Sequence, residues 1–362
     1  MIRSSEQKIV FLGCALDCDE KHDAIQEKLS GNLRDIPYDD PLVPFLEELK
    51  DRLPDARWEE GGSIDVPGWL RPVPREGEYP RVVVDEFVRF MDEDGCRNYA
   101  DRVRDRVARD ILPGLPVMVS PDHALTGGVY RALGEHYGKE NISLIIVDSH
   151  TDAVPMSKMA EAILYDIDTN PGSYYDRSDP FLYNRAESYN ASSFIHHLLA
   201  EGVVEARDLF IIGVSDYPEK KTLRIKDPRV ANYCSVFTGL KRQGATVISK
   251  KDCQQKPTKV KNLLKKIRTP YAYLSVDMDI GARNALEGVR FRNWQGLSEQ
   301  QIYRLIDHIH AAGGDDLQVV GMDLTEINSR TAGQMLEKGE DRTYRIAVNI
   351  AGRILYNQTE SG

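Results

Sequence analysis

Long apolar runs are missing from this chain. The stretch nearest the start, Ile9 to Leu16, is too short to span a bilayer and lacks the basic flank and small-residue cleavage site of a secretory leader, so no membrane insertion is expected. Cysteine is scarce too. Its five residues (Cys14, Cys18, Cys96, Cys234, Cys253) are odd in number and form no CxxC pair, which excludes a disulfide scaffold and suits a reducing, cytoplasmic setting. Excess positive charge is also absent, with Lys+Arg 47 against Asp+Glu 57 and a formal net charge of -10. Nucleic acids and anionic membranes reward clustered Lys and Arg, so neither is an expected partner, and a small cationic molecule fits better. Finally, there is no internal repeat and no linker. With 362 residues and 41% hydrophobic content, a single domain over residues 1–362 is the expectation.

What is present is alternation. Short β-rich apolar runs recur at Lys8–Gly13, Pro116–Ser120, Ser143–Asp148, Asp208–Val214, Ala245–Ser249, Tyr271–Asp277 and Leu317–Leu324. Between them lie segments of helical period, including Leu125–Tyr137, Ser192–Glu201 and Ser298–Ala311, and Thr343–Tyr356 closes the chain with Ile346, Ile350 and Ile354 at i, i+4 spacing. This pattern predicts an α/β fold with a mostly parallel sheet covered on both faces. Two stretches interrupt it as apparent insertions: residues 42–78, rich in Pro, Gly and charge, and residues 155–189, which carry five tyrosines. The second is long for a loop, and long loops beside active sites often serve as lids.

Chemistry gathers where apolar runs end. Leu144-Ile-Ile-Val147 leads directly into Asp148-Ser-His150-Thr-Asp152, and Tyr273-Leu-Ser-Val276 into Asp277-Met-Asp279. If the extended backbone persists, residues at i, i+2 and i+4 point the same way and the polar side chains converge. Acids placed together at the end of a buried strand repel each other, and a bound cation compensates. His123 follows another run, Pro116–Ser120. Four carboxylates and two imidazoles suit Mn²⁺, with Fe, Co, Ni or Zn as alternatives, and more than four ligands imply two ions. A single acid at a strand end is more often a loop-solvating group or helix cap, and Asp122, Asp208 and Asp216 are read that way. The joint recurrence of the other acids after separate strands, with an upstream histidine, argues against so bland a reading for them.

These blocks resemble those of the ureohydrolase superfamily, which includes arginase, agmatinase, guanidinobutyrase, proclavaminate amidinohydrolase and formiminoglutamase. Val10–Asp17 resembles its first strand and turn, Asp122–Thr126 its GGDHS block, Asp148–Asp152 its DAHxD block, and Ser275–Asp279 its SxDxD block. Gly321–Asn328 resembles the late block whose glutamate, here Glu326, faces the substrate guanidinium. The resemblance implies a three-layer α/β/α sandwich and a manganese-dependent hydrolase of linear C–N bonds, with two Mn²⁺ per chain and a hydroxide between them as nucleophile. His123 and Asp152 would complete one metal site, His150 and Asp279 the other, and Asp148 and Asp277 would bridge. Asp152 would relay a proton, and a small guanidino cation would be the substrate, with urea released. Homo-oligomers are usual in the family.

The departures bear on the substrate. Asn190 stands where agmatinases and arginases carry the histidine of an HG block, and an amide does no acid–base work near neutral pH; contact with the substrate is the role left to it. His196 and His197 follow soon after and are read as ordinary helix residues. Ala153-Val154 replaces the polar pair that grips arginine's carboxylate, and Arg283, Arg290 and Arg292 enter near the site. Beside an amidinohydrolase, two alternatives therefore stay open: hydrolysis of a formimino or amide bond, and a non-catalytic metal-binding role.

Overall fold

Segments such as Leu144–Val147 are apolar at every position, so a strand made from them needs cover on both faces. In the computed structural model, which describes residues 7–30, 36, 38–173, 175–292, 294–312, 317–337 and 339–356, eight strands form one sheet. They are β1 (Ile9–Cys14), β2 (Glu59–Ile64), β3 (Leu115–Val119), β4 (Ile142–Val147), β5 (Leu209–Val214), β6 (Thr246–Ser249), β7 (Tyr271–Asp277) and β8 (Gln318–Thr325). Their order is β2-β1-β3-β8-β7-β4-β5-β6, and every neighbouring pair is parallel.

The helices are α1 (His22–Ser30), α2 (Leu42–Arg52), α3 (Val84–Asp92), α4 (Gly95–Arg106), α5 (Thr126–Tyr137) and α6 (Met156–Thr169). The series continues with α7 (Phe194–Ala200), α8 (Pro228–Gln243), α9 (Lys250–Gln255), α10 (Pro257–Leu264), α11 (Glu299–Ala312) and α12 (Thr343–Leu355). Alternate strand residues face opposite layers. Ile145 and Val147 of β4 pack with Phe45 of α2, Ile306 of α11 and Ile350 of α12. Leu144 and Ile146 pack with Val103 of α4, Leu133 of α5 and Ile195 of α7 on the other side. This is the three-layer α/β/α sandwich expected from the alternation. None of the described helices is long and apolar enough to cross a membrane.

Each strand expected from the sequence is present, with its ends moved by a single residue at most. The addition is β2. Its Glu-Glu-Gly-Gly-Ser-Ile has no apolar run because it is an edge strand, paired only with β1 and half open to solvent, where Lys8 Nζ meets Glu59 at 2.5 Å. Residues 42–78 therefore do not interrupt the sandwich. They supply α2, which buries Leu42, Phe45, Leu46 and Leu49, and then the edge strand. Residues 155–189 open with the helix α6 instead of a long loop; residue 174 lies outside the described residues.

From the middle of the sheet the chain winds outward both ways, through β1 and β2 on one side and β4, β5 and β6 on the other, and β7 and β8 fill the gap. Ligand crevices of open α/β sheets form at the carboxyl ends of strands near such a reversal. On one face, α4 and α5 approach closely: a Cβ at Gly128 would lie 2.0 Å from the Ala100 carbonyl oxygen. Gly128→Ala is expected to lower stability by about 1–3 kcal/mol through overpacking, read as a lower urea midpoint. An unchanged midpoint would mean that the two backbones do not touch.

Candidate metal centre

Four adjacent strands, β3, β8, β7 and β4, deliver the polar groups. After β3, Asp122 caps a short turn by accepting the Ala124 N–H at 2.9 Å, and this turn presents His123. After β4, Asp148 Oδ1 accepts the His150 N–H at 2.6 Å; at the end of β7, Asp277 Oδ1 accepts the Asp279 N–H at 2.7 Å. Both turns fold the second polar residue back beside the first. The extended path expected through Asp152 does not persist, because β4 stops at Val147. Asp152 has φ 46°, a left-handed conformation rare outside glycine, and its carboxylate reaches His123 from the loop. Glu326 is held at φ 58° just past β8, and such strain clusters at functional sites.

The side chains form two groups. His123 Nδ1 lies 2.8 Å from Asp152 Oδ2 and 3.3 Å from both Asp148 Oδ2 and Asp277 Oδ2. His150 Nδ1 lies 2.8 Å from Asp279 Oδ2 and 3.6 Å from Asp148 Oδ1. Within each group the potential ligand atoms all lie within 4.8 Å of one another. Asp148 belongs to both groups; Asp277, expected to be shared as well, falls in the first alone. All are buried except His150, whose side chain is 23% exposed to the cavity above.

Whether this set fits a metal can be judged from its unsatisfied atoms. His123 Nδ1, Asp148 Oδ2 and Asp279 Oδ2 are buried and have no hydrogen-bond partner among the described residues, although the first two lie 3.3 Å apart and Asp279 Oδ2 lies 2.8 Å from His150 Nδ1. A buried polar atom without a partner is costly. Lone pairs converging from hard carboxylates and imidazoles are what a divalent cation would satisfy. The donor set therefore fits.

A second layer of polar groups, which the sequence did not single out, steadies the first. Ser275 Oγ donates to Asp323 Oδ1 at 2.6 Å and so accepts from His123 Nε2–H at 2.9 Å, leaving Nδ1 as the inward lone pair. Asp323 Oδ2 also accepts from Thr126 Oγ1 at 2.7 Å and from the Tyr273 hydroxyl. Such partners orient metal ligands. Asp323 lies inside the apolar β8, and a buried acid in a strand was the one sign of it.

Electrostatics follow from burial. Desolvation favours a neutral His123 ring, but the carboxylates of Asp148, Asp152 and Asp277 outweigh it and raise its pKa well above the ordinary value. Asp152 is pushed up to about 7 by burial and by the Asp148 charge. Asp277 is pushed well up by burial and by Asp279 and Asp148. Of these acids Asp148 goes down, because the His123 and His150 rings beside it, at 3.3 and 3.6 Å, overcome burial.

Above these groups lies a cavity of about 320 Å³, reached by His150, Asp152, Asp277, Glu326 and Asn190. Glu326 Oε1 accepts the His123 N–H at 3.0 Å, while Oε2 has no hydrogen-bond partner and lies 4.0 Å from Arg290 Nε. Burial and the neighbouring Asp122 push Glu326 up to about 8 against the pull of Arg290. Asn190 does line the cavity, but its amide oxygen accepts from Ser192 N and its amide donates to Met156 Sδ. His197 packs on Tyr189 and Arg97, and neither it nor His196 reaches this cavity.

Other expectations need correcting. Asp216 is no mere loop acid: it holds Thr151 through N–H and hydroxyl at 3.1 and 2.8 Å and lines the cavity, with burial pushing it up to about 6. Arg290 is buried in an acidic nest, 3.2 Å from Asp17 and 3.5 Å from Asp122, with Arg330 3.0 Å from Asp17. Arg283 remains at the surface and touches the Arg292 carbonyl. Residues so far apart in sequence carry no local sign of that nest.

An α/β sandwich with such a cluster at the carboxyl edge of its sheet defines the broad class. The model of the arginase family matches residues 46–356, and the chain belongs to that family. In structure it is similar to the arginase of Bacillus caldovelox (14% identity, 98% of this chain and 100% of the other, TM-score 0.57). It is likewise similar to the proclavaminate amidino hydrolase of Streptomyces clavuligerus (14% identity, 97% and 91%, TM-score 0.55). A third is a Trypanosoma cruzi formiminoglutamase variant solved with Mn²⁺ (15% identity, 96% and 92%, TM-score 0.55). No curated protein matches the chain in sequence.

The raised groups set a pH dependence. Asp152, Asp277 and His123 have folded pKa values above their unfolded ones, so their protons stabilise the metal-free fold at low pH, and that contribution is lost as pH rises through the raised values, about 7 for Asp152. Asp148, which is lowered, is ionised throughout this range. Chelator-treated protein should therefore lose thermal stability between pH 6 and 8, and the increase in Tm on adding Mn²⁺ should be larger at pH 8 than at pH 6. An equal or smaller increase at pH 8 would contradict this charge arrangement. Ser275→Ala, which frees His123 Nε2, should weaken metal binding by about 10–100-fold in a metal titration while far-UV circular dichroism stays unchanged.

Proposed function

We propose that this chain hydrolyses a linear C–N bond of a guanidino compound at a pair of divalent cations, Mn²⁺ first among them, and releases urea. His123, Asp148, Asp152 and Asp277 would hold one ion, and Asp148, His150 and Asp279 the other. The observation that carries this reading is the convergence of buried, partnerless nitrogen and oxygen atoms of His123, Asp148 and Asp279 with His150, Asp152 and Asp277, which line the cavity. The Mn²⁺ in the Trypanosoma cruzi structure supports the choice of metal.

Divalent cations bound there supply Lewis acidity and an activated water. The chain's own residues do the rest. Asp152, 2.8 Å from His123 and open to the cavity, is placed to accept a proton and pass it to the departing amine. Glu326, whose Oε2 has no hydrogen-bond partner among the described residues and which lines the cavity, would accept from the substrate's N–H groups. Asp216 holds the loop that carries Asp152 through Thr151. Ala153 and Val154, both buried and apolar, offer nothing to the carboxylate of a free amino acid, which favours guanidino compounds other than arginine.

One observation favours a second reading, a formimino or amide substrate. Arg290 stands beside Glu326 and lessens that acid's need for a cationic partner.

The test is urea release by the Mn²⁺-loaded protein from a panel of guanidino compounds, with formamide-type products measured in parallel. Asp277→Ala should remove metal and activity together. A variant depleted of metal yet still active would end this mechanism, and ammonia or formamide without urea would move the assignment to the second reading.

A further inference from the structure

The walls of the cavity differ in character from its floor. On α6, Met156, Met159 and Ile163 recur at i, i+3 and i+7 and form one apolar face lining the cavity. Phe291 and Trp294 also line it, with rings 6.0 and 5.1 Å from the His150 ring, so this apolar surface begins directly beside the metal-ligand groups. Trp294 is 39% exposed, an aromatic surface that an apolar group could cover further. Of residues 155–189, a stretch whose length suggested a lid, those that reach the cavity are mainly apolar.

Several charged groups above the floor are engaged within the protein, although Glu20 Oε2 and Asp216 Oδ1 keep no hydrogen-bond partner among the described residues. Asp19 and Asp122 turn to Arg290 at 3.9 and 3.5 Å, and Glu20 turns to Arg185 at 2.7 Å. Lys21 differs: its ammonium lies 4.9 Å from the Phe291 ring centroid, and the charge of Asp19 acts on it. A substrate whose far end carries a second ammonium and lies against Phe291 would meet the Lys21 ammonium there. One with an apolar tail would cover Trp294 and the face of α6.

We infer that the substrate of this site is a singly charged amidine or guanidine bearing an alkyl or aryl tail, which lies between α6 and the Phe291–Trp294 wall, with Lys21 selecting against diamine-like compounds. This rests on the amidine-hydrolysing reading of the metal floor and names the substituent that reading leaves open.

The test uses the full-length, Mn²⁺-loaded protein. Binding of ethyl-, butyl- and hexylguanidine, and of agmatine as the butyl compound with a terminal ammonium, is measured by calorimetry and by tryptophan fluorescence, with urea assayed on the same samples. Affinity should rise by roughly fourfold for each added methylene, and agmatine should bind more weakly than butylguanidine. Met159→Gln should flatten the chain-length dependence, and Lys21→Glu should bring agmatine level with butylguanidine or ahead of it. Affinity independent of chain length, or agmatine bound more tightly than butylguanidine by the unaltered protein, would overturn the inference. If urea still appeared from the small compounds, the hydrolytic reading would stand without it. Chain-length-dependent binding with no urea from any compound would leave the apolar-tail inference standing and remove the hydrolytic reading. Failure of every compound to bind would remove both.

Discussion

Mutual repulsion among buried carboxylates is the constraint around which this molecule is organised. Asp148, Asp277 and Asp279 are almost wholly buried at the ends of adjacent strands, and Asp152 joins them from a strained loop. Charges so close in a medium of low polarity are tolerable only if protons or cations share the space. The raised values of Asp152 and Asp277, set against the lowered one of Asp148, express the proton solution. The partnerless atoms of His123, Asp148 and Asp279 suit the cation solution.

Much of the surrounding structure serves to hold this frustrated centre. The parallel sheet aims four neighbouring strand ends at one point. Ser275 and Asp323 set the orientation of the His123 ring from below, and Asp216 anchors the Asp152 loop through Thr151. The packed layers on both faces of the sheet make these positions rigid, which a metal site needs because its ligands must be in place before the ion arrives. Arg290 brings an opposite device close by, a buried cation neutralising Asp17 and Asp122 next to Glu326. The cavity floor is therefore left with unmatched acids while its surroundings are nearly balanced.

The sequence was most legible where local chemistry and tertiary role coincide. Strands β3, β4, β5 and β7 are buried on both sides, so their composition is largely apolar and their position plain. The polar residues that follow them stand out because polarity is otherwise excluded there. β2 was not legible, since an exposed edge strand needs no apolar run. α6 was hidden for a related reason: its apolar face lines a cavity and not the sheet, and the loop after it blurs the helical period.

From the sequence alone came the fold class, the parallel sheet, and the six residues that converge as candidate ligands, since Asp148, His150, Asp152, Asp277 and Asp279 lie in two short blocks and His123 follows a third strand. Tertiary structure decided which of them meet. It made Asp148 the shared member and Asp277 not, and brought Asp152 to His123 through a left-handed residue in place of extended alternation. It also joined Arg290 to Asp17 across the chain and brought the apolar face of α6 and Trp294 to the same cavity. The physical reason is that alternation and burial are periodic and can be read along a chain, whereas pairing between distant side chains depends on loop conformations that no local period encodes.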